Sequence, residues 1–259
     1  MNTKNVFQIP GPVKGSSLIL TPDELWLRTI CLHNGVAITD IQLSLLSRYR
    51  ELLADWNTKI NLISRKDAEH IWDTHILLSL AYVFVVPFPV TGRVLDLGTG
   101  GGLPGIVLAV MRPECSFTLL DSIRKKTTAV SHMATELGLS NVDVVNARAE
   151  EINHLPRHRN IYDIVTARSV SELSNLLSWG LPFLKKKGAS ASPGTNEPAV
   201  GATRLKPSIV MLKGSEIETE LAAARKAFPH VRFESTPLVF RGSEGVVSTD
   251  KQIIVAQAS

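Results

Sequence analysis

Two carboxylates frame the part of this chain whose residue types can do chemistry. Asp96 lies in Val94-Leu95-Asp96-Leu97-Gly98-Thr99-Gly100-Gly101-Gly102-Leu103-Pro104-Gly105, where an apolar strand runs into a glycine-rich turn. Asp121 ends the next apolar run, Cys115–Leu120. Glycine has no Cβ and tolerates positive φ, so Gly98 and Gly100 let backbone approach a ligand closely. Pro104, at the head of an apolar helical run, marks a helix start. A nucleotide-like cofactor at the carboxyl end of a sheet strand is the chemistry this pattern serves.

Two cofactors compete. Gly100-x-Gly102-x-x-Gly105 formally matches the dinucleotide fingerprint. Against it, Asp96 stands two positions before Gly98, where a carboxylate would repel a pyrophosphate but pair with a cationic amino-acid head group. S-adenosylmethionine carries such a group and no phosphate, so Asp96-x-Gly98-x-Gly100-x-Gly102 favours the methyl donor. Asp121 is placed to bond a ribose in either cofactor and does not choose between them.

The elements that must position these residues follow from capping and periodicity. Residues 1–20 are polar and read as mobile. Thr21-Pro22-Asp23-Glu24 and Thr39-Asp40-Ile41-Gln42 are capping boxes that open two helices, the first stopped by Gly35. A third helical stretch is expected from about Asp67 to Phe84, giving a helical module over residues 1–90. From Gly92 strand and helix alternate. Strands are expected at 93–97, 116–121, 143–146, 162–167 and 208–212, with helices at 104–112, 122–137, 171–184 and 216–228. Two last strands, 232–240 and 252–257, form a hairpin at the sheet edge. Residues 91–259 therefore read as an α/β domain: a doubly wound, mostly parallel sheet with a C-terminal antiparallel hairpin and an N-terminal helical extension. The hairpin is foreign to the six-stranded dinucleotide sheet and agrees with a methyltransferase. The Ala-, Ser-, Pro- and Gly-rich segment 188–207 is expected to be a long loop, either an irregular insertion or a substrate-facing one.

Bulk properties narrow the class. The chain has 259 residues, 44% hydrophobic and 20% charged, an ordinary globular composition. It lacks an apolar run of transmembrane length and an evident signal peptide. Cys31 and Cys115 are two isolated cysteines, so neither a disulfide scaffold nor a zinc ribbon is expected, and no metal site is read; a cytoplasmic location follows. The net charge is +4 and the sequence pI is near 9.1, compatible with a polyanionic partner. The cations cluster at Arg48 and Arg50, Arg65-Lys66, Arg124-Lys125-Lys126 and Lys185-Lys186-Lys187, positions that solvated helix faces also explain.

The segment from Val94 to about Arg168 resembles the bacterial small-subunit (16S) rRNA guanine-N7 methyltransferases, the glucose-inhibited division protein B family. The resemblance is carried by Leu95–Ile106, with its Leu-Pro-Gly; by Leu119-Leu120-Asp121-Ser122 followed by Lys125-Lys126; by Ala147-Arg148-Ala149-Glu150-Glu151; and by Ala167-Arg168. Trp56-Asn57, Asn61-Leu62-Ile63 and His75 match the family's helical N-terminal element. The resemblance implies an S-adenosylmethionine-dependent enzyme acting on ribosomal RNA, free or in the assembled small subunit; the sequence leaves the oligomeric state open, with monomer as the default. It implies donor contacts from Gly98, Leu103 and Ser122 around the turn, Ala149 and Glu150 about the adenine, and Arg168 closing the site. An ion pair with a carboxylate such as Glu150 is the structural alternative for Arg168. Thr74 and Leu78 depart from the family's usual Arg before the histidine and Asp three residues after it.

Guanine N7 has an in-plane lone pair, so no catalytic acid or base is assigned. The absence of Asn/Asp-Pro-Pro-Tyr and of Pro-Cys after the fourth strand argues against methylation of an exocyclic amine or a pyrimidine carbon. His75, Arg124, Lys125 and Lys126 are the candidate RNA contacts, His75 with an equal claim as a structural histidine. Trp56 and Trp72 have the chemistry to stack on RNA bases, but at helical spacing they read as core. The rival functions are a small-molecule methyltransferase and a non-catalytic regulator that binds S-adenosylmethionine.

Overall fold

The computed structural model describes residues 20–186, 206–214, 217–244 and 250–258. The expected mobile N-terminus lies outside these residues but for Leu20, as do most of the 188–207 segment and the centre of the hairpin connection.

Both capping boxes form. Thr21 accepts from Glu24 N–H and receives the Glu24 carboxylate at its own amide, opening α1 (Pro22–His33). Thr39 and Gln42 do the same for α2 (Asp40–Lys59). Each box satisfies amide donors that a helix start leaves unpaired. Gly35 follows α1 at φ +72°, a backbone turn that a side chain disfavours.

The expected helix from Asp67 to Phe84 is broken into three. A 3₁₀ turn spans Arg65–Asp67, a π-helical turn spans Trp72–Leu77, and α3 is Leu78–Val85. Side chains compete for backbone groups throughout this stretch. Thr74 Oγ1 donates to the His70 carbonyl, and Ser79 Oγ donates to that of His75 at 2.7 Å. Apolar periodicity does not record such bonds, so the sequence alone reads one continuous helix.

The sheet comprises β1 (Gly92–Leu97), β2 (Cys115–Asp121), β3 (Val142–Asn146), β4 (Ile164–Arg168), β5 (Ser208–Gly214), β6 (Val231–Pro237) and β7 (Lys251–Ala258). Their order is β3-β2-β1-β4-β5-β7-β6, with β7 antiparallel to both its neighbours. The terminal hairpin is thus present, with its second strand inserted between β5 and β6. Helices α4 (Gly105–Met111), α5 (Arg124–Glu136), α6 (Ala149–Ile152), α7 (Leu173–Gly180) and α8 (Glu218–Ala227) connect the strands.

Alternate residues of each central strand face opposite cores. Val94, Phe117, Ile164 and Val210 join one core with α1 to α5, whereas Leu95, Leu120, Val165 and Ile209 join another with α6 to α8. Both faces of the sheet are covered, as parallel strands require. The helices of residues 22–85 share the first core with β1, β2, β4, β5 and β7, so they roof one face of the sheet. Trp72 is buried in that core and Trp56 packs half-buried at its margin, in keeping with their spacing. Cys31 and Cys115 are free and buried. Among the described residues, no helix is long and apolar enough to cross a membrane.

Candidate active site

The turn after β1 is held from below by β2. The N–H groups of Gly98 and Thr99 both donate to the Leu120 carbonyl, at 2.8 and 2.9 Å. Gly98 and Gly100 adopt φ of +70° and +58°, the left-handed region that glycine enters at little cost. Asp121, at the end of β2, clasps the same turn: its Oδ2 accepts from Gly100 N–H at 3.0 Å and its Oδ1 from Ile123 N–H at 2.9 Å. Each carboxylate oxygen keeps a further acceptor position.

A cavity of about 330 Å³ opens beside this clasp, at the carboxyl ends of β1, β2 and β4. Gly98, Asp121 and Ser122 line it from the first two loops, Ala149 and Glu150 from α6, and Ser169 and Val170 from the segment after β4. This is the crevice where open α/β sheets bind ligands. Gly98, Asp121, Ser122, Ala149 and Glu150 stand together here as the sequence leads one to expect. The lining combines polar groups that can meet a ribose, Asp121 and Ser122, with small or apolar ones that can lie against a base, Ala149 and Val170. Trp179, on α7, completes the wall; nothing in its sequence context signals that position. The site asks for a ligand that approaches backbone without a side chain between, and Asp121 offers it two anionic acceptors.

The other expected contacts fall elsewhere. Asp96 is fully buried beneath the turn. Its Oδ1 accepts from Thr166 Oγ1 at 2.8 Å and its Oδ2 from Gly105 N–H at 3.0 Å, which ties the start of α4 to β1. Burial raises this carboxyl to about 6, since it sits away from water with only hydrogen bonds and the more distant Arg168 charge to favour its ionised form. Asp96 is therefore a strut of the turn, and its reading as partner of a ligand's head group is corrected: strand alternation puts it on the face of Val94, under the helical roof. Leu103 is also core, with 6% of its surface exposed. Gly100 shapes the turn through Asp121 and is absent from the cavity wall.

Arg168 turns away from the cavity into the same roofed face. It donates through one terminal nitrogen to the His75 carbonyl at 3.3 Å and through the other to His75 Nδ1. Its structural alternative, an ion pair with Glu150, does not form; Arg148 lies 3.7 Å from Glu150 instead. His75 is buried, with 6% of its surface exposed, which removes it from direct RNA contact in this conformation. Burial, and then the neighbouring Arg168 charge, lower its imidazole to about 4, with Asp67 pulling the other way. Lys126 lines the cavity, whereas Arg124 and Lys125 are exposed outside it. The cluster assigned to RNA is therefore divided between two surfaces. The segment after β4 carries a further peculiarity: Ser169, next to Arg168, has φ +53°, rare for a residue with a side chain.

Comparison with known proteins agrees with this geometry. Residues 42–192 match the family described as rRNA small subunit methyltransferase G. The ribosomal RNA small subunit methyltransferase G of Christiangramia forsetii is 40% identical over 191 residues, covering 74% of this chain and 82% of the relative. That of Chlorobium limicola is 36% identical over 233 residues, covering 89% of this chain and 95% of the relative. Among solved structures, a SAM-dependent methyltransferase from Aquifex aeolicus superposes with a TM-score of 0.50 at 14% identity, over 76% of this chain and 100% of that one. At that identity the likeness speaks for the fold.

Proposed function

Since the chain belongs to the rRNA small subunit methyltransferase G family, we propose that it transfers a methyl group from S-adenosylmethionine to N7 of a guanine in small-subunit (16S) ribosomal RNA. It acts in the cytoplasm, as a monomer, on the free RNA or the assembled subunit. The observation that carries this reading is the cavity at the carboxyl ends of β1 and β2, with Asp121 clasping its glycine turn.

The donor, when bound, would supply a methyl group on a sulfonium: the guanine N7 lone pair would form the new bond as the carbon–sulfur bond breaks, S-adenosylhomocysteine would leave as a neutral thioether, and the positive charge would pass to the guanine ring, with no prior deprotonation. The chain's own residues then have to bind, orient and exclude water, and proximity supplies much of the rate. Asp121 would hold the ribose hydroxyls with the acceptor positions left free by Gly100 and Ile123. Ser122 borders the same sugar. Ala149 and Glu150 would flank the adenine, in the cavity that Trp179 also lines. Ser169 and Val170 line the cavity where β4 ends, and this segment would border the incoming guanine. The segment Ala167-Arg168-Ser169-Val170 offers no motif for amine or carbon attack, and no side chain is required to take a proton.

The test is tritium transfer from labelled donor into small-subunit RNA and into assembled subunits, followed by mapping of the labelled base. The expected product is 7-methylguanosine, which cleaves with aniline after mild reduction. N2-methylguanosine or N6-methyladenosine overturns the proposed chemistry. Donor binding without transfer to RNA turns the assignment to a small-molecule enzyme or a regulator.

A further inference from the structure

Beneath the helical roof, a polar chain crosses from the exposed turn after α2 to the end of β4. Arginine has no acceptor, so the Arg168 donor bonded to His75 Nδ1 requires the lone pair there and the ring proton on Nε2. That Nε2 is buried and has no hydrogen-bond partner. The nearest acid is Asp67, whose Oδ2 stands 3.5 Å away, at ion-pair range but without hydrogen-bond geometry. A buried N–H next to an available carboxylate and unjoined to it is costly. It stands one small movement short of satisfaction.

The segment that bears Asp67 is poised to make that movement. Asp67 ends the 3₁₀ turn that begins at Arg65, and its side chain is 38% exposed. Arg65 and Lys66, on the same turn, are exposed and have no ion-pair partner among the described residues. At the other end, Arg168 directly precedes Ser169 and Val170, which wall the cavity.

We propose that His75 is a positioning residue: RNA phosphate held by Arg65 and Lys66 draws Asp67 onto the Nε2–H of His75, and the completed Asp67–His75–Arg168 chain fixes the segment after β4 for methyl transfer. A neutral imidazole suits this role, because one nitrogen accepts while the other donates. The inference rests on the RNA-methyltransferase reading above.

Single-turnover transfer at saturating RNA tests it, alongside donor affinity by calorimetry. Asp67→Ala is expected to slow transfer about tenfold, the scale of one lost hydrogen bond to a charged group, with donor affinity within about twofold of wild type on that scale. Asp67→Asn, which keeps an acceptor, is expected to recover part of the rate. Replacing Arg65 and Lys66 by alanine is expected to weaken RNA binding and also to slow transfer once RNA is saturating. In ¹⁵N spectra, the His75 Nε2–H signal should move downfield on addition of small-subunit RNA and stay in place with donor alone. Wild-type rates at saturating RNA for Asp67→Ala overturn the proposal. So does an Arg65/Lys66 variant altered in RNA affinity alone, or a His75 signal indifferent to RNA. If the wild-type protein transfers no methyl to small-subunit RNA, the functional reading fails and this inference falls with it; transfer with an unaffected Asp67→Ala sinks the inference alone.

Discussion

Val170 lies across Gly98 so closely that a Cβ on the glycine would stand 2.7 Å from each of the valine's two terminal carbons. The loop after β4 is thereby packed directly on the turn after β1. Gly98→Ala is expected to destabilise the protein by about 2–5 kcal/mol, from left-handed strain plus overpacking, and to weaken S-adenosylmethionine binding. Adding Val170→Ala removes the clash but not the strain at φ +70°, so unfolding midpoints should recover in part. Gly100→Ala separates the two causes, since its Cβ meets no atom nearer than 3.9 Å. Wild-type stability in Gly98→Ala, read by urea unfolding, would sink this account of the junction.

Asp121 serves the turn and the ligand with one carboxylate. Asp121→Ala should lower donor affinity by about 1.5–3 kcal/mol, the range for hydrogen bonds to a charged group. It should also loosen the turn, because Gly100 and Ile123 lose their acceptor. Calorimetric titration with S-adenosylmethionine checks the first effect and amide exchange at Gly100 the second. NAD should not bind the wild-type protein; strong NAD binding would restore the dinucleotide reading of the turn.

Much of this site is legible in one dimension because it is built from strand ends. Apolar runs mark β1 and β2, the residue after each run reaches the cavity, and the capping boxes fix α1 and α2. Asp96 was open to a correct reading on the same grounds. It shares strand parity with Val94, so a covered sheet face buries it, and only the likeness to a ligand-binding pattern suggested otherwise. Arg168 and His75 were not legible as partners. They stand 93 residues apart, and their union depends on a π-helical turn that leaves no periodic trace. Trp179, near the end of α7, reaches the cavity through tertiary packing that its local sequence does not record.

Asp96 and His75 should give the stability curve opposing slopes. Asp96 moves from an ordinary 3.8 to about 6 on folding, so the unfolded chain ionises more readily and stability falls as pH rises between those values. His75 moves from 6.5 to about 4, so the unfolded chain takes a proton more readily and stability falls as pH drops through that window. Each shift corresponds to roughly 3 kcal/mol, and between about pH 4 and 6 the two largely cancel. Asp96→Asn should leave stability rising with pH over this range, and His75→Gln should leave it falling. Urea unfolding of both variants from pH 4 to 7 reads the difference. Slopes of the same sign would contradict the burial described for these groups.

The first turn of α5 carries Arg124, Lys125 and Lys126 with no acidic residue and no side-chain cap. Cations at a helix N-terminus oppose the helix dipole, at about 0.3–1 kcal/mol each. Arg124→Ala with Lys125→Ala is therefore expected to raise the protein's stability in the absence of RNA. If these two exposed residues hold phosphate, the same variant should flatten the dependence of RNA affinity on salt by up to about two units of slope, at about 0.7–0.9 per phosphate contact. Lys126 is set apart by its place in the cavity wall. Lys126→Ala should weaken donor binding by up to about 1 kcal/mol, as for a partly solvated charge, and leave the RNA salt slope unchanged. Filter binding of small-subunit RNA across 50–300 mM salt, with calorimetry of the donor, distinguishes the two roles on the salt scale over which such contacts are read. An unchanged slope in the Arg124/Lys125 variant would remove this helix end from the RNA face and leave the phosphate contacts to Arg65 and Lys66. A salt-independent affinity in the wild type would count against an RNA substrate altogether, because a polyanion held by surface cations must release counterions when it binds.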